Sequence, residues 1–275
     1  MFKIFGDSGI DLAFVIIFSL FTLLWALSVC ITNVSIVDMA WGAAYTIQVF
    51  IYYFCHEYNW QNLLVLILVG LHGARLAIFI TYRNAGHGED PRYQDFRRRM
   101  GGDKHYWWVS FFQVFVLQAV INLGVGSVWG LFILRTSLDR IHNKHQVTPV
   151  EPITALMIIG AIITFAGTLM ESIADFELYN HKNDPEMRGK LLTTGTWSLC
   201  RHPNYFGETL FWWGTYFWSC AVGQYWAIYG PVVMTLLIVF VSGVAILEDG
   251  RRKEKYGEAY EEYVSKTKKF IPFIW

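Results

Sequence analysis

The chain has 275 residues, of which 54% are hydrophobic and 16% are charged, and its formal net charge at pH 7 is zero. Soluble globular proteins carry about 25% charged residues, so this composition is typical of a membrane protein. The balanced charge gives no indication of a nucleic-acid partner, and none is predicted. The four cysteines show no CxxC spacing and indicate no disulfide framework.

Seven apolar stretches are long enough, or nearly long enough, to cross a bilayer, which requires about 20 mainly apolar residues. They cover residues 10–31, 36–55, 62–82, 109–134, 153–173, 205–223 and 226–247. We therefore predict an all-α integral membrane protein with seven transmembrane helices. No linker or internal repeat divides the sequence, so residues 1–275 are predicted to form a single membrane domain.

The distribution of Lys and Arg predicts how these spans are oriented. Of the 22 basic residues, 17 fall on the side reached after the first span and four on the other side, with Arg75 inside a span. Because Lys and Arg collect in cytoplasmic loops, we expect the N-terminus outside and the C-terminus in the cytoplasm. Three polar segments, 83–108, 174–204 and 248–275, then share the cytoplasmic face.

Two pairs of polar residues lie inside predicted spans, where an ionisable side chain costs several kcal/mol unless it is paired or hydrated. Asp38 and Trp41 open the second span, and His72 and Arg75 lie in the third, each pair three residues apart on one helix face. One interpretation is an Asp38–Arg75 ion pair that fixes helix register. The other makes Asp38 and His72 acid–base groups directed at a substrate that enters from the lipid.

The first polar segment contains the sequence YRNAGHGEDPRYQDFRRRMG, at positions 82–101. Its glycines, mixed charges and aromatic ring suit a loop that shapes a ligand site, and the three arginines at 97–99 are interpreted as a topology signal that also attracts anionic lipid. The residues predicted to contact the ligand are Arg83, Asp90, Arg92 and Tyr93.

The second polar segment runs directly into a span through LCRHPNYFGETLFWW, at positions 199–213. Pro203 suits the first turn of a helix, so Arg201 and His202 are predicted to flank a helix N-terminus, which binds phosphate readily. Asn204 and Glu208 are four residues apart and are predicted to contact ribose hydroxyls or an amide. The alternative is an interfacial turn with a snorkelling Arg and a paired Glu.

The tail repeats tyrosines at helical spacing, with Tyr256, Tyr260 and Tyr263 on one face and a basic run that includes Arg252 just before them. One interpretation is an amphipathic helix on the membrane surface. The other is a cap over the cytoplasmic mouth that supplies Arg and Tyr to a nucleotide. GxGxxG, Walker and HExxH motifs are absent from the sequence, and its eight histidines suggest no metal site.

These motifs together resemble the steroid 5α-reductase / sterol reductase superfamily, and most closely its bacterial-type branch, the DUF1295 family. The resemblance rests on RHPNYFGE, on VSIVDMAWG, HGARLAIFITYR and GEDPRY, and on the terminal RRKEKYGEAYEEYVSKTKKFIPFIW. It implies seven transmembrane helices, with a lipophilic substrate held by the first spans and their loop (1–108) and NADPH held by the later spans and tail (109–275).

The resemblance also implies roles for individual residues. Asp38 and His72 match positions that hydrogen-bond a substrate ketone, so they are the predicted catalytic residues of a hydride transfer to an enone. Asp175, Asn204, Glu208, Arg252 and Tyr256 match cofactor-binding positions of the family. Together with the residues of the loops, the predicted cofactor-binding set is Arg83, Asp90, Arg92, Tyr93, Asp175, Arg201, His202, Asn204, Tyr205, Glu208, Arg252 and Tyr256.

Two other classes remain open from sequence. Membrane isoprenylcysteine carboxyl methyltransferases share an Arg-His-Pro-x-Tyr turn and a similar tail but bind S-adenosylmethionine. A seven-span receptor or transporter is the non-enzymatic alternative. In each case we expect a multi-pass protein of a bacterial inner membrane or of the endoplasmic reticulum, surrounded by membrane lipids, with the mouth of its site in the cytoplasm.

Overall fold

The computed structural model describes residues 9–56, 58–142, 151–248 and 251–275. Regular structure within these ranges is helical throughout and includes no strand. The chain forms two compact units, Met1–Pro149 and Val150–Trp275. The boundary between the units follows the fourth long helix; the single membrane domain with functional parts 1–108 and 109–275 stays a prediction.

The described part of the first unit contains six α-helices. A 3₁₀ turn at Val34–Ile36 leads into α2, and a π-helical turn at Phe111–Val116 joins α5 to α6. The helices are α1 (Ile10–Ile31), α2 (Val37–Phe54), α3 (Trp60–Asn84), α4 (Pro91–Arg99), α5 (Asp103–Ser110) and α6 (Leu117–His142).

The second unit is built on two long helices followed by shorter ones. Its α-helices are α7 (Glu151–Asn183), α8 (Pro203–Ala221), α9 (Tyr229–Leu236), α10 (Val244–Leu247), α11 (Arg251–Tyr256) and α12 (Glu258–Lys266). A π-helical turn, Leu237–Ser242, continues α9. Pro203 stands in the first turn of α8, which confirms the helix start predicted from the sequence.

Five helical segments are long and apolar enough to cross a membrane. They are Ile10–Ile31, Val34–Phe54, Trp60–Asn84, Asp103–Leu138 and Ala155–Asn183. These segments confirm the all-helical membrane architecture, whereas the count of seven spans and the orientation stay predictions. The apolar helical segment Tyr225–Val241 is shorter than the five, and α8 is not among them because its Asn204, Glu208 and many Tyr and Trp rings lower its mean hydropathy.

Large apolar side chains on these helices point away from the packed core. Leu23 is 70% exposed, Ile78 69% and Ile162 63%, although all three lie in candidate spans. Helices that are apolar on all sides are typical of membrane segments, where acyl chains cover the outer face. These surfaces account for the predicted contact with membrane lipids.

Glycines allow α7 and α8 to pack with their backbones in contact. Gly160 and Gly167 of α7 and Gly207 and Gly214 of α8 are each seven residues apart, two turns of a helix. A Cβ atom on Gly167 would lie 2.5 Å from the carbonyl oxygen of Gly207, and one on Gly207 would lie 2.6 Å from the backbone nitrogen of Glu171. Small residues at such spacing are the usual means of close helix packing in membranes.

We expect Gly207→Val to destabilise the second unit. The added side chain meets backbone atoms, which cannot rotate away, so the loss in unfolding free energy should reach about 3 kcal/mol or more. The measurement is the thermal unfolding of the purified protein in detergent. Gly124→Val is the matched control, because a Cβ on Gly124 meets no other atom within 4 Å; equal melting temperatures for the two variants would contradict the packing argument.

Candidate functional site

In the first unit, the helix α4 supplies the partners of Asp38. A terminal nitrogen of Arg92 lies 2.9 Å from Asp38 Oδ2, and the hydroxyl of Tyr93 donates to Asp38 Oδ1 at 2.7 Å. Sequence analysis had considered Arg75 as the ion-pair partner. The structure instead brings together residues of the second span and of the GEDPRY loop, which were predicted to serve different ligands.

Asp90 organises the start of α4. Its side chain accepts a hydrogen bond from the backbone N–H of Arg92 and pairs with the Arg92 guanidinium at 3.0 Å. Burial opposes ionisation of Asp90, but the hydrogen bonds from Arg92 outweigh it and lower the pKa of this carboxyl below its ordinary value. Arg92 is thus held between two carboxylates and is directed at Asp38.

The loop before α4 is fixed to the start of α2. Glu89 accepts a hydrogen bond from the backbone N–H of Val34 at 2.8 Å, and the N–H of Asp90 donates to Ser35 Oγ at 3.2 Å. Arg97 pairs with Glu89 at 2.8 Å and with Asp103 at 2.6 Å. Arg97 therefore holds this loop in place, a role that its position in a basic run did not reveal.

The remaining predicted residues of the first unit lie in α3. His72 is fully buried. Arg83 is in the last turn of the helix, where its Nε donates to Asn84 Oδ1 at 3.1 Å and its guanidinium lies over the ring of Phe79.

A neutral side chain, Gln118 of α6, extends the Asp38 cluster. Its Nε2 lies 3.3 Å from the hydroxyl oxygen of Tyr93, and its Oε1 accepts from Trp41 Nε1 at 2.6 Å. Gln118 is not among the residues predicted from the sequence, because its side chain is not ionisable. A polar amide within an apolar stretch was the signal available.

In the second unit, Arg201 and His202 converge on Glu248. The Arg201 guanidinium lies 2.7 Å from one oxygen of Glu248 and 3.1 Å from the other, and His202 Nε2 lies 2.8 Å from the same carboxylate. Arg201 also donates to the backbone oxygen of Thr267 at 2.7 Å and, through its own N–H, to that of Lys268 at 2.9 Å. The two residues predicted to bind phosphate thus join the turn before α8 to the tail.

The charge states in this cluster follow from its geometry. Burial alone would raise the pKa of Glu248, but hydrogen bonds from His202 and Arg201 hold it far below its ordinary value. Burial lowers the pKa of His202 more than Glu248 raises it, so His202 is neutral near pH 7. Because its Nε2 faces an ionised carboxylate, the proton of the neutral ring is on Nε2. Sequence analysis missed Glu248, an acid at the edge of a basic segment.

Three further predicted residues line the first two turns of α8. Asn204 Nδ2 donates to Asp175 Oδ1 at 3.2 Å, and Glu208 accepts from Trp212 Nε1 at 2.9 Å. The ring of Tyr205 stacks on that of His202, with centroids 6.0 Å apart. Among the described residues, the Oδ1 atom of Asn204 and the Nδ1 atom of His202 are buried and have no hydrogen-bond partner. Both atoms can accept a hydrogen bond from a ligand.

A basic cleft of about 460 Å³ lies among the end of α7, the segment after it, α11 and α12. Its described lining includes no acidic residue. Arg252 and Tyr256, predicted from the tail, are both in its wall. Its six basic side chains are His181, Lys182, Arg188, Lys190, Arg252 and Lys255.

Two contacts shape this cleft. His181 Nε2 lies 3.0 Å from the backbone oxygen of Lys190, which holds the segment after α7 against that helix. The ammonium of Lys255 lies 5.0 Å from the ring centroid of Tyr256. Four of the basic residues, at 181, 182, 188 and 190, are not predicted from the sequence, because Asp184 and Glu186 lie between them and conceal a basic patch along the chain.

We expect acidification to destabilise the second unit through His202. The pKa of His202 is lowered from the ordinary 6.5 in the folded protein. Below about pH 6.5 the unfolded chain therefore binds a proton at this residue more readily than the folded protein does. The stability contributed by neutral His202 is therefore complete above about pH 6.5 and is lost as the pH falls through the folded-state pKa. The melting temperature in detergent should fall as the pH drops below about 6.5, and should fall less in His202→Gln. The exposed His87 provides a control as His87→Gln; an unchanged pH slope in His202→Gln would contradict this assignment.

Comparison with known proteins places the chain in a family. The model of the DUF1295 family, described as a protein of unknown function, matches residues 24–267. The chain is also similar to the Delta(14)-sterol reductase erg24 of Schizosaccharomyces pombe, with 30% identity over 112 residues that cover 35% of this chain and 24% of the relative. The match thus spans about a quarter of that relative's length. Because the family match covers most of the sequence and confirms the resemblance seen in its motifs, the chain belongs to the DUF1295 family.

Proposed function

We propose that the protein is an NADPH-dependent membrane reductase. Its substrate is a carbon–carbon double bond conjugated to a ketone, in a steroid-like or other lipophilic enone. The observation that carries this proposal is the basic cleft of the second unit. Similarity to a sterol reductase supports the reaction class.

The cleft has the charge and size expected for a polyphosphate nucleotide. Its volume of about 460 Å³ lies within the range of ligand pockets, roughly 300–1,000 Å³. Six basic groups and the ring of Tyr256 offer partners for phosphates and for an adenine base. S-adenosylmethionine carries no phosphate, so a cleft whose charged side chains are all Lys and Arg favours NADPH over the cofactor of the methyltransferase alternative.

The first turns of α8 have hydrogen-bonding capacity suited to the other end of the cofactor. Asn204 uses its N–H group on Asp175, which leaves its buried Oδ1 as an acceptor. The carboxamide of nicotinamide is a matching donor. When bound, NADPH would supply the hydride that adds to the β-carbon of the enone. We assign Asp175, Asn204 and Glu208 to this end, and Arg252 and Tyr256 to the phosphate-bearing end.

We propose that Arg201 and His202 act by holding the start of α8 rather than by binding phosphate. Arg201 is engaged by Glu248 and the carbonyl of Thr267, and His202 shares that carboxylate. Tyr205 packs on the ring of His202 and completes the same turn. Arg201, His202 and Tyr205 then contribute to cofactor binding by holding Asn204 and the tail in position.

The substrate groups are proposed to be Asp38 and His72, as the sequence predicts, with Tyr93 and Arg92 as the partners of Asp38. Negative charge develops on the ketone oxygen as the hydride adds, and hydrogen-bond donors aimed at that oxygen lower the barrier. The proposed donors are His72 and the hydroxyl of Tyr93, which Asp38 orients as its hydrogen-bond acceptor. A proton then adds at the α-carbon, so one enone and one proton are consumed for each saturated ketone formed. Asp90 and Arg83 are proposed to influence the ionisation of Asp38 through their own charges.

Loss of basic groups from the cleft should weaken NADPH binding. We expect Arg252→Ala and Lys255→Ala each to raise the Kd by about ten-fold, because a hydrogen bond to a charged group contributes about 1.5–3 kcal/mol. Calorimetry or NADPH fluorescence on purified protein in detergent measures the effect. The matched control is Lys253→Ala, because Lys253 is exposed, pairs with Glu261 and lies outside the cleft. Binding of S-adenosylmethionine without binding of NADPH would overturn the proposal in favour of a methyltransferase.

Removal of the Asp38 charge should slow reduction without releasing the cofactor. We expect Asp38→Asn to lower kcat by about 100-fold, in the range that proton transfer and its positioning contribute, with NADPH affinity unchanged. The assay is NADPH oxidation against a panel of 3-oxo-Δ4 steroids and other enone lipids. Asp95→Asn is the control, since Asp95 lies on α4, the helix that carries Arg92 and Tyr93, and pairs only with Arg98 among the described residues. Full activity of Asp38→Asn would exclude the assigned role.

A further inference from the structure

A continuous chain of hydrogen bonds leads to Asp38 in the first unit. Trp41 Nε1 lies 2.6 Å from Gln118 Oε1, Gln118 Nε2 lies 3.3 Å from the hydroxyl oxygen of Tyr93, and that hydroxyl lies 2.7 Å from Asp38 Oδ1. Arg92 closes the chain at Asp38 Oδ2, 2.9 Å away. The chain joins α2, α4 and α6, so no single helix sets its geometry.

The direction of every hydrogen bond in this chain is determined by its two ends. The indole N–H of Trp41 can only donate, so the Gln118 atom that faces it is the carbonyl oxygen. The NH₂ group of Gln118 must then face Tyr93, whose oxygen accepts. With its oxygen used as an acceptor, the single hydroxyl proton of Tyr93 is directed at Asp38. At the other end, Arg92 can only donate, which favours the carboxylate form of Asp38.

We propose that Trp41 and Gln118 are positioning residues of the candidate substrate site, which fix Tyr93 as the protonated member of the Tyr93–Asp38 pair and Asp38 as the ionised member. The proposal rests on the proposed reductase function for its catalytic consequence, which is that the proton available to this site is on Tyr93. The hydrogen-bond direction itself does not depend on that function.

The charges around Tyr93 are consistent with this assignment. Burial raises the pKa of the Tyr93 hydroxyl and the charge of Asp38 raises it further, whereas the hydrogen bonds from Gln118 and the charge of Arg92 act in the opposite direction. Asp90 from the start of α4 and Arg83 from the end of α3 are the other charged groups that act on Asp38. Tyr93 thus remains protonated at neutral pH while its oxygen is still engaged by Gln118.

A carboxyl group at position 118 provides a specific test of direction. In Gln118→Glu, one oxygen still accepts from Trp41, but an ionised second oxygen accepts where the amide donated, so the hydroxyl of Tyr93 should turn away from Asp38. At low pH the protonated carboxyl again has one acceptor and one donor, and the original pattern should return. Gln118→Met removes the donor at every pH. Trp41→Phe removes the indole N–H, so the side-chain amide of Gln118 is free to rotate and exchange its oxygen and nitrogen. Trp60→Phe is the control, because Trp60 is exposed.

The experiment uses the full chain in detergent with 3-fluorotyrosine incorporated at position 93, and its ¹⁹F resonance is followed against pH. We expect a displaced line for Gln118→Glu at high pH that returns to the wild-type position on acidification, and a displaced line at all pH values for Gln118→Met. Trp41→Phe should displace the line and Trp60→Phe should not. A Gln118→Glu line that matches the wild type at every pH, or a Gln118→Met line that titrates in the same way, would overturn the proposal.

Enone reduction by the same variants separates this inference from the proposed function. The kcat of Gln118→Glu should fall about ten-fold at high pH and recover on acidification, with the KM for NADPH unchanged, because the loss is one of orientation. If the ¹⁹F line titrates as expected but no variant or wild type reduces an enone, the hydrogen-bond assignment is supported and the reductase proposal is wrong.

Discussion

Polar groups in a chain this apolar must be paired, and that requirement organises both units. An ionised side chain in a low-dielectric environment costs several kcal/mol unless opposite charge and hydrogen bonds compensate it. In the first unit the requirement draws Arg92 and Tyr93 onto Asp38. In the second it draws Arg201 and His202 onto Glu248. Each cluster joins segments far apart in sequence, so the loops are ordered by the charges that the helices cannot bury alone.

Close helix packing in the second unit makes such precise pairing possible. The glycines of α7 and α8 leave no side chain between the two backbones, which removes the freedom that an intervening layer would give. Asp175 lies eight residues after Gly167 in α7, and Asn204 lies three residues before Gly207 in α8. The helix register set by the glycines brings Asn204 Nδ2 within 3.2 Å of Asp175 Oδ1. The acceptor left on Asn204 is consequently held in one orientation, as a binding group must be.

Sequence alone predicts the parts of this molecule that depend on local pattern. Long apolar stretches give the helices, Pro203 gives the start of α8, and the spacing of Asn204 and Glu208 gives their common face. Partner choice is not local. Asp38 pairs with a residue 54 positions away and Arg201 with one 47 positions away, and several acceptors of similar chemistry exist for each. The two-unit division and the basic cleft were also hidden, because spatial proximity of Arg188, Lys190 and Lys255 follows from chain folding rather than from their order.

The hydrogen-bonding of each polar group distinguishes groups that stabilise the fold from groups suited to bind a ligand. Arg201 has its guanidinium on Glu248 and on the carbonyl of Thr267, so little capacity remains for a ligand phosphate. Asn204 Oδ1 and His202 Nδ1 have the opposite character, since they are buried acceptors without a hydrogen-bond partner in the part of the chain that the structure describes. An unsatisfied buried polar atom costs about 1–3 kcal/mol, and a fold has no reason to keep two of them near one helix start unless something else satisfies them. The same RHPN sequence therefore contains both kinds of atom. The Arg201 guanidinium and the Nε2 atom of His202 stabilise the turn, whereas His202 Nδ1 and Asn204 Oδ1 are the acceptors that the proposed cofactor would use at the start of α8.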